Sequence, residues 1–460
     1  MKIIHVIPGF LPDYVAGTEI YCWSLCKYLQ RMGIETEVVT PGYGQEETTQ
    51  YFYDGIKVVK YAEPTKQTRA HIAGLALPEG IAAFRQYLQS AGPDVVHFHG
   101  IYAGIGINIQ HIAEVKALGY YTMYTMHLPN HVCATHALVH KGKELCDGII
   151  RPVRCASCSL INQGQGELVS GGLAFSGAVL QTVGIDSARW NNSLGTGLSF
   201  VNRINDLKKD LESLAKLCDK VVLYARWFRE MIVANGFPRE KTAYVPPGLS
   251  FAGKTGQLST PLSFCREDSI KIIFIGRIDP LKGVHLLLEA IKDFPEEKIE
   301  LSLYGKPIGE DYFRMCQKIS EGKKNIHWRG LLAREEILPA LEQHDILCLP
   351  SAFSEMSPLV IQEAFGAGIP VLASEVYGNA ELIRHNDNGL LFPFKSLDGL
   401  RKQLRRLIEE KPLLPLLKSG VIPPIPFDKV AEQYLEIYKT AETPIQFHEA
   451  GLPDYPAGRA

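Results

Sequence analysis

Short apolar runs alternate with amphipathic segments along most of this chain. A short run of aliphatic residues predicts a buried strand, whereas apolar residues three and four positions apart predict a helix that covers a sheet. This alternation is typical of parallel sheets joined by crossover helices. Because the pattern occurs in both halves of the chain, we expect an α/β protein with two doubly wound domains in series.

Each half of the chain contains its own set of predicted elements. Strands are predicted at residues 3–7, 37–40, 58–61, 95–98, 121–125 and 220–224, and then at 271–275, 299–304, 345–349 and 370–373. Helices are predicted at 19–31, 81–90, 105–118, 205–217, 284–292, 359–365 and 427–439.

The domain boundary is predicted at residue 250, within a segment at 245–263 that is rich in Pro, Gly, Ser and Thr. Residues 1–250 then form an N-terminal domain with a cysteine-containing insertion at about 128–200, and residues 251–426 form a C-terminal domain. We expect a helix at 427–443 to pack back on the N-terminal domain and 444–460 to be a disordered tail. Ligands of doubly wound sheets bind at the carboxyl ends of the strands, so the expected site is the cleft between the domains.

Composition narrows the classes of partner. The 460 residues are 46% hydrophobic and 21% charged, which is typical of a globular protein with more than one core. A net charge of −2 gives no reason to expect a nucleic-acid partner. The first residues resemble a strand and not a signal peptide, so we expect a cytoplasmic location. The uncharged segment 168–185 favours a loop or a short interfacial helix and leaves peripheral membrane contact open.

One segment of the C-terminal half predicts an anion-binding helix start. Ser357 is a favourable N-cap, Pro358 suits the first helical position, and an apolar run follows from Leu359. A helix start presents free N–H groups and the positive end of the helix dipole, and both attract anions. The segment therefore predicts a phosphate site.

Two carboxylates flank this helix start, namely Glu355 and Glu363. Eight helical steps would separate them by about 12 Å. This exceeds the roughly 5 to 10 Å between the two carboxylates of glycoside hydrolases. The spacing suits a long ligand with one carboxylate near each end, although two Glu residues with solvated side chains would give the same pattern.

Two cations lie in a loop that follows the first predicted strand of the C-terminal domain. Gly276 and Arg277 come directly after the strand, and Lys282 precedes the next helix. The forked guanidinium and the compact ammonium together can neutralise a diphosphate. Two cations in a loop are also common as plain surface residues, so this assignment depends on the neighbouring helix start.

Four of the 10 cysteines are concentrated in one stretch of sequence, at Cys133, Cys146, Cys155 and Cys158. The closing Cys-x-x-Cys pair and the two preceding cysteines resemble a four-thiolate zinc site. The spacing also allows free or redox-active thiols. Disulfides are disfavoured because the expected compartment is reducing.

These motifs together resemble a known family. Gly276-Arg277 with Lys282-Gly283, followed by Glu355 and Glu363, resembles the donor-binding half of retaining glycosyltransferases of the GT-B fold, family 4 or group 1. The cysteine stretch resembles a subgroup of that family. The resemblance implies two Rossmann-like domains that face a cleft, and transfer of a sugar from a nucleotide diphosphate sugar with retention at the anomeric carbon.

The resemblance also implies residue roles in donor binding. Arg277 and Lys282 would hold the diphosphate, Glu363 the ribose hydroxyls and Glu355 the donor sugar. The chain at Gly276 and the helix start would lie against the donor; the helix start comprises Ser357, Pro358 and Leu359.

The N-terminal half supplies two further residues by the same resemblance. Gly17 lies in a first loop where backbone approaches the donor, although Ala16 stands where a paired glycine is common. His127 follows a predicted strand, where an imidazole in either protonation state could contact the reacting sugar. Leu128 replaces an Asp common in the subgroup, and the roles of His97 and His99 stay open between cleft and core.

The expected reaction needs no metal or other cofactor for catalysis, and any zinc at the four cysteines would be structural. The expected acceptor is a carbohydrate or a lipid-linked sugar, in polysaccharide or glycoconjugate biosynthesis. Three alternatives remain at this point: a sugar-nucleotide epimerase, a phosphorylase of the same fold, and a non-catalytic subunit that binds nucleotide sugars.

Overall fold

The computed structural model describes residues 1–72, 76–102, 104–249 and 269–441. Within these ranges the chain forms 16 strands and 17 α-helices, with one large sheet in each half. The predicted pair of doubly wound α/β domains is therefore confirmed. Most of the expected hinge at 245–263 and all of the expected tail at 444–460 lie outside the described residues.

The N-terminal sheet has eight strands in the order β10-β9-β6-β5-β1-β2-β4-β3, and only β3 runs antiparallel to its neighbour. A separate two-stranded hairpin pairs β7 with β8. The bounds are β1 Lys2–Val6, β2 Glu35–Tyr43, β3 Thr49–Tyr53, β4 Ile56–Glu63, β5 Val95–Phe98, β6 Tyr121–Thr125, β7 Val139–His140, β8 Glu144–Leu145, β9 Lys220–Leu223 and β10 Thr242–Tyr244.

The C-terminal sheet has six parallel strands in the order β13-β12-β11-β14-β15-β16. Its strands are β11 Ile270–Ile275, β12 Ile299–Tyr304, β13 Ile326–Gly330, β14 Ile346–Leu349, β15 Val371–Ser374 and β16 Gly389–Phe392. The order reverses direction between β11 and β14, and this switch point is where a doubly wound sheet forms its ligand crevice.

The helices occupy the connections between these strands. In the N-terminal half they are α1 Gly17–Arg31, α2 Arg69–Ile72, α3 Ile81–Ala91, α4 Ile109–Ala117, α5 Pro152–Asn162, α6 Glu167–Thr182, α7 Ser193–Leu198, α8 Phe200–Leu217 and α9 Arg226–Ala234. In the C-terminal half they are α10 Val284–Ile291, α11 Glu310–Ile319, α12 Ile337–Glu342, α13 Leu359–Gly366, α14 Tyr377–Leu382, α15 Leu397–Glu409, α16 Leu413–Ser419 and α17 Phe427–Lys439.

The last helix, α17, lies against the N-terminal domain. Phe427, Tyr434 and Tyr438 are fully buried in one apolar cluster with residues of α1 and of the N-terminal sheet. The Tyr438 hydroxyl lies 2.7 Å from Nδ1 of His97, whose Nε2 lies 2.7 Å from the Thr125 hydroxyl. Both nitrogens of His97 are thus satisfied within the core, which makes it a packing residue.

The uncharged segment at 168–185 folds mainly as α6, with a helical stripe of apolar side chains that faces solvent. Leu168 is 94% exposed and Phe175 is 66% exposed, and Val179 and Val183 are also exposed. Across the described ranges, no helix combines the length and apolarity that a membrane crossing requires. The stripe is an exposed apolar surface on a folded helix.

Candidate functional site

Two helix starts meet where the domains face each other. Gly17 begins α1 of the N-terminal domain, and Leu359 begins α13 of the C-terminal domain. A Cβ atom built on Gly17 would lie 3.9 Å from Cδ1 of Leu359. Helix starts carry unpaired N–H groups and partial positive charge, so the space beside them favours an anion.

The cap of α13 differs from the prediction. Pro358 takes the N-cap position with φ −63° and ψ 119°, and the helix begins at Leu359, so Ser357 lies one residue further out. Among the described side chains none caps this helix start. The expected Ser357 N-cap was wrong because the extended Pro358 moves the cap by one residue, and the first amides of α13 keep no side-chain partner.

Glu355 and Lys282 form a buried ion pair beside this helix start. Nζ of Lys282 lies 2.7 Å from Oε1 of Glu355, and the Ser351 hydroxyl donates to the same oxygen at 2.6 Å. Lys282 also lies over the ring of Phe353, 5.3 Å from its centroid. The two charges are therefore largely neutralised by each other, and either one becomes available when a ligand charge replaces its partner.

Backbone packing fixes the loop that carries Lys282. Asp279 accepts a hydrogen bond from the Lys282 amide at 2.9 Å, and Gly283 follows with φ 69°. A Cβ atom on Gly283 would lie 2.0 Å from the Pro350 carbonyl oxygen, so only glycine fits there. The close approach holds the Lys282 loop against the strand that leads to Glu355.

Arg277 lies at the mouth of the same loop. Its Nε is 3.0 Å from Oδ2 of Asp279, and its side chain is 59% exposed. A Cβ atom on the preceding Gly276 would lie 3.9 Å from Cδ of Lys282, so the two predicted residues are neighbours. Arg277 is thus oriented by Asp279 but remains accessible to a ligand.

Glu363 lies inside α13 and faces Arg334, a residue that the sequence patterns did not select. Burial raises the pKa of Glu363 to about 7, and the Arg334 charge partly opposes this shift. The Arg334 guanidinium lies 4.8 Å from the ring centroid of Trp23, which belongs to α1. Arg334 follows β13, and this strand-end position is the one signal that could have identified it.

His127 ends a buried row of histidines. Nε2 of His127 lies 3.1 Å from Nδ1 of His99, and Nε2 of His99 lies 3.0 Å from Nδ1 of His5. The rings of Tyr21 and Tyr224 flank His127 at 5.4 and 5.5 Å. Burial lowers the pKa of His127 to about 3, so the imidazole is neutral and the expectation of either protonation state near neutral pH was wrong.

The four clustered cysteines line one cavity of about 20 Å³. Sγ of Cys158 accepts from the Lys141 amide at 3.1 Å, and Sγ of Cys155 accepts from the Arg151 amide at 3.4 Å. All four are free thiols, and burial raises the pKa of Cys146 to about 11.

The donor set and the cavity fit one zinc ion, since four thiolates are a common zinc environment. In this structure, however, the sulfur atoms do not lie close enough together to form a group of metal ligands. In the described part of the chain, only His5, Cys22 and His99 bring three ligand atoms within 4.8 Å of one another.

Glu381 joins the two domains at another helix start. Its two carboxylate oxygens accept from the amides of Arg226 and Trp227, at 3.0 and 2.9 Å, where α9 begins. The carboxylate therefore caps a helix of the opposite domain. Sequence patterns do not reveal this contact, because they contain no information on how the domains meet.

The fold and this geometry define a two-domain protein with a cleft at a topological switch point, where two helix starts lie near Arg277 and Lys282. Two family models match the chain, "Glycosyl transferases group 1" over residues 263–418 and "Glycosyl transferase 4-like domain" over residues 16–156. Together these matches cover more than half of the chain. Both halves of the chain therefore match glycosyltransferase family models.

Curated relatives agree with these matches. The amylovoran biosynthesis glycosyltransferase AmsK of Erwinia amylovora is 25% identical over 49% of this chain and 56% of its own length. A D-inositol 3-phosphate glycosyltransferase of Streptomyces bingchenggensis is 26% identical over 46% of this chain and 50% of its own. The chain thus spans about half the length of the curated relatives it matches.

Solved structures share the whole fold. HepE of Anabaena, in complex with UDP and glucose, has a TM-score of 0.60 at 15% identity and covers 96% of this chain and 100% of its own. Sucrose-phosphate synthase of Thermosynechococcus elongatus has a TM-score of 0.61 at 16% identity, with 97% and 100% covered. The predicted GT-B fold is confirmed.

Proposed function

We propose that this protein is a retaining glycosyltransferase that moves a sugar from a nucleotide diphosphate sugar to a carbohydrate or lipid-linked acceptor. The observation that carries the proposal is the meeting of the α1 and α13 starts beside the Lys282–Glu355 pair, in a chain whose two halves match glycosyltransferase family models. The relative HepE, which has the same fold, was solved with UDP and glucose.

The donor occupies the cleft with its diphosphate at the start of α13. Lys282 and Arg277 neutralise the diphosphate, and the Leu359 amide donates to it. Glu363 accepts hydrogen bonds from the ribose hydroxyls, and Glu355, released from Lys282, holds the donor sugar. Gly17 lies on the opposite wall of the cleft. It leaves room for the donor, because a side chain at this position would point at Leu359.

The reaction proceeds by attack on the face that the nucleotide leaves. The acceptor oxygen bonds to the anomeric carbon while the bond from that carbon to the diphosphate oxygen breaks, and the acceptor proton passes to a donor phosphate oxygen. The neutral His127 forms a hydrogen bond with the sugar and transfers no proton in this step. The residues therefore act by positioning and by electrostatic stabilisation of the leaving diphosphate.

The exposed surface of α6 supports the proposed lipid-linked acceptor and the proposed peripheral membrane location. Its apolar stripe lies beside a cavity of about 600 Å³ that is lined in part by Lys141, Arg151 and Arg154. An exposed apolar helix next to cations matches an anionic bilayer surface. We place the protein in the cytoplasm, bound peripherally to the inner face of the membrane during polysaccharide or glycoconjugate assembly.

Flotation with vesicles of phosphatidylcholine and phosphatidylglycerol tests the membrane contact. The wild type should float with anionic vesicles, and Phe175→Ser with Val179→Ser should abolish flotation. Phe52→Ser is the matched control, because Phe52 is exposed at 69% on another surface of the same domain. Failure of the wild type to float, or equal flotation of the α6 variant, would exclude this surface.

Product analysis tests the activity. Purified protein is incubated with labelled nucleotide sugars, with and without oligosaccharide or lipid-linked acceptors, and the anomeric configuration of the product is assigned by NMR. A product that keeps the donor configuration supports the proposal. Conversion of donor without acceptor would indicate an epimerase, phosphate-dependent release a phosphorylase, and binding without turnover a non-catalytic subunit.

A further inference from the structure

The segment between Cys133 and Cys146 makes three contacts with the opposite domain, each through a backbone carbonyl. The Ala137 carbonyl accepts from the Ser354 amide at 2.9 Å, and the Gly142 carbonyl accepts from Nζ of Lys395 at 2.6 Å. The Cys146 carbonyl accepts from the Tyr377 hydroxyl at 3.1 Å. Ser354 directly precedes Glu355, so this segment holds the loop of the candidate sugar-binding carboxylate.

Little regular structure supports these carbonyls. The segment contains only the β7–β8 hairpin of two residues per strand, which is too short to be stable by itself. Three of its non-glycine residues have positive φ, namely His136 at 57°, Leu138 at 51° and Lys141 at 52°. Such backbone conformations persist only where the surroundings hold them.

Four thiols lie at the ends of this segment and in the neighbouring helix α5. Cys133 and Cys146 lie at the two ends of the segment, and Cys155 and Cys158 project from one turn of α5. The cavity that all four line, about 20 Å³, has room for one ion and is too small for an iron–sulfur cluster. Amide donors already point at two of the sulfurs, as they do at metal-bound thiolates.

We propose that Cys133, Cys146, Cys155 and Cys158 bind one structural zinc ion that fixes the segment against the C-terminal domain and orders the Glu355 loop for donor binding. The zinc site stands on the four thiols and their cavity. Its effect on the donor rests on the proposed function, and the two parts are measured separately.

Metal analysis of the full chain tests the zinc site without any assay of activity. The wild type, purified without added metal, should contain about one zinc per chain, and Cys155→Ser with Cys158→Ser should contain less than about a tenth of that. Cys316→Ala is the matched control, because Cys316 is a buried free thiol of the C-terminal domain. Absence of zinc from the wild type, or equal zinc in the double variant, would overturn the site.

Tyr377→Phe tests the coupling in a protein that keeps all four thiols. It removes only the hydroxyl that contacts Cys146, and the ring keeps its stack on Trp227, at 5.0 Å between centroids. UDP should bind several-fold more weakly to this variant by calorimetry, with zinc content unchanged. Tyr120→Phe is the control, since it removes a similar hydroxyl contact to the Leu88 carbonyl far from the cleft.

The outcomes separate the two parts of the proposal. Unchanged UDP affinity in Tyr377→Phe and in the cysteine variant would overturn the coupling and leave the zinc site standing. Failure of the wild type to bind any nucleoside diphosphate would overturn the proposed function together with the coupling, while zinc content would still decide the metal site.

Discussion

At the scale of single residues, Glu363 has a carboxyl pKa that its buried position shifts into the neutral range. Its pKa lies at about 7 because burial favours the neutral carboxyl, and Arg334 only partly opposes this. A raised carboxyl pKa stabilises the fold below the pKa of the unfolded chain, and that contribution is lost as pH rises through 7. The free protein therefore holds Glu363 partly protonated at neutral pH.

Donor affinity should increase as pH rises through 7, because the ionised Glu363 accepts stronger hydrogen bonds from the ribose hydroxyls than the neutral carboxyl does. Titration calorimetry of UDP on the wild type at about pH 6 and about pH 8 measures this change. In Glu363→Gln only the pH dependence of the ligand's own phosphate remains, so the variant should respond less. An identical response of the two proteins would contradict the ribose role.

The Lys282–Glu355 pair allows its structural and functional contributions to be separated. Lys282→Met leaves a buried, unpaired carboxylate and should lower the free energy of unfolding by about 3 kcal/mol. Combining it with Glu355→Gln should restore most of that stability, whereas UDP affinity should stay at least tenfold reduced. Recovery of affinity together with stability would show that Lys282 acts only through the fold.

The sequence identified the site residues that lie in a recognisable local motif. Lys282, Glu355 and Glu363 lie next to predicted strand ends or a predicted helix start, and the structure places them around one helix. Arg334 was not selected, because its contact with Trp23 depends on how the two domains meet.

At the scale of elements, the opposed starts of α1 and α13 define the width of the cleft. Gly17 is exposed, and the space beyond it extends to Leu359. Apart from the neighbouring residues and the backbone of α1, the Leu359 methyl group is the one described atom within 4 Å of a Cβ atom added at Gly17. A substitution at this point changes the cleft more than the core.

Gly17→Phe should therefore abolish UDP binding while the thermal midpoint changes by less than about 2 °C, because the ring fills the space between the helix starts. Gly17→Ala is the control, since its methyl group meets Leu359 at an ordinary contact distance and should leave binding within about threefold. Normal UDP affinity in Gly17→Phe would place the ligand elsewhere.

Predicted and observed elements agree best where a strand or helix is central and strongly apolar. β5, β6 and β12 have the predicted bounds, and α17 matches the helix predicted at 427–439 but ends four residues before the boundary expected at 443. Four of the unpredicted strands lie at the edges of the two large sheets, where β3 and β13 are partly exposed and β10 and β16 have only three and four residues. The other two, β7 and β8, form the separate short hairpin. Edge strands pair on one side only, so their sequences contain a weaker apolar pattern.

At the scale of the whole molecule, buried neutral histidines are concentrated in the N-terminal domain. Burial lowers the pKa of His111, His127 and His131 to about 3, and it lowers the pKa values of His97 and His99 as well. The unfolded chain binds protons at these groups below about pH 6.5, whereas the folded chain does not. Stability is therefore lost progressively as pH falls below 6.5.

The urea midpoint should decrease sharply between pH 7.5 and pH 5, since each such histidine costs roughly 2 kcal/mol at pH 5. Tryptophan fluorescence during urea unfolding measures this. His111→Gln removes one of these groups and should reduce the pH dependence. Equal wild-type midpoints at the two pH values would show that protonation of these histidines does not lower the free energy of unfolding.

The central claim is that the cleft between the domains binds a nucleoside diphosphate at the start of α13. Calorimetric titration of UDP, ADP and GDP into the wild type and into Glu363→Gln tests it most directly. At least one of them should bind the wild type with one site per chain, and Glu363→Gln should weaken it at least tenfold at pH 8. Absence of binding for all three, or equal affinity in the variant, would contradict nucleotide binding at the start of α13.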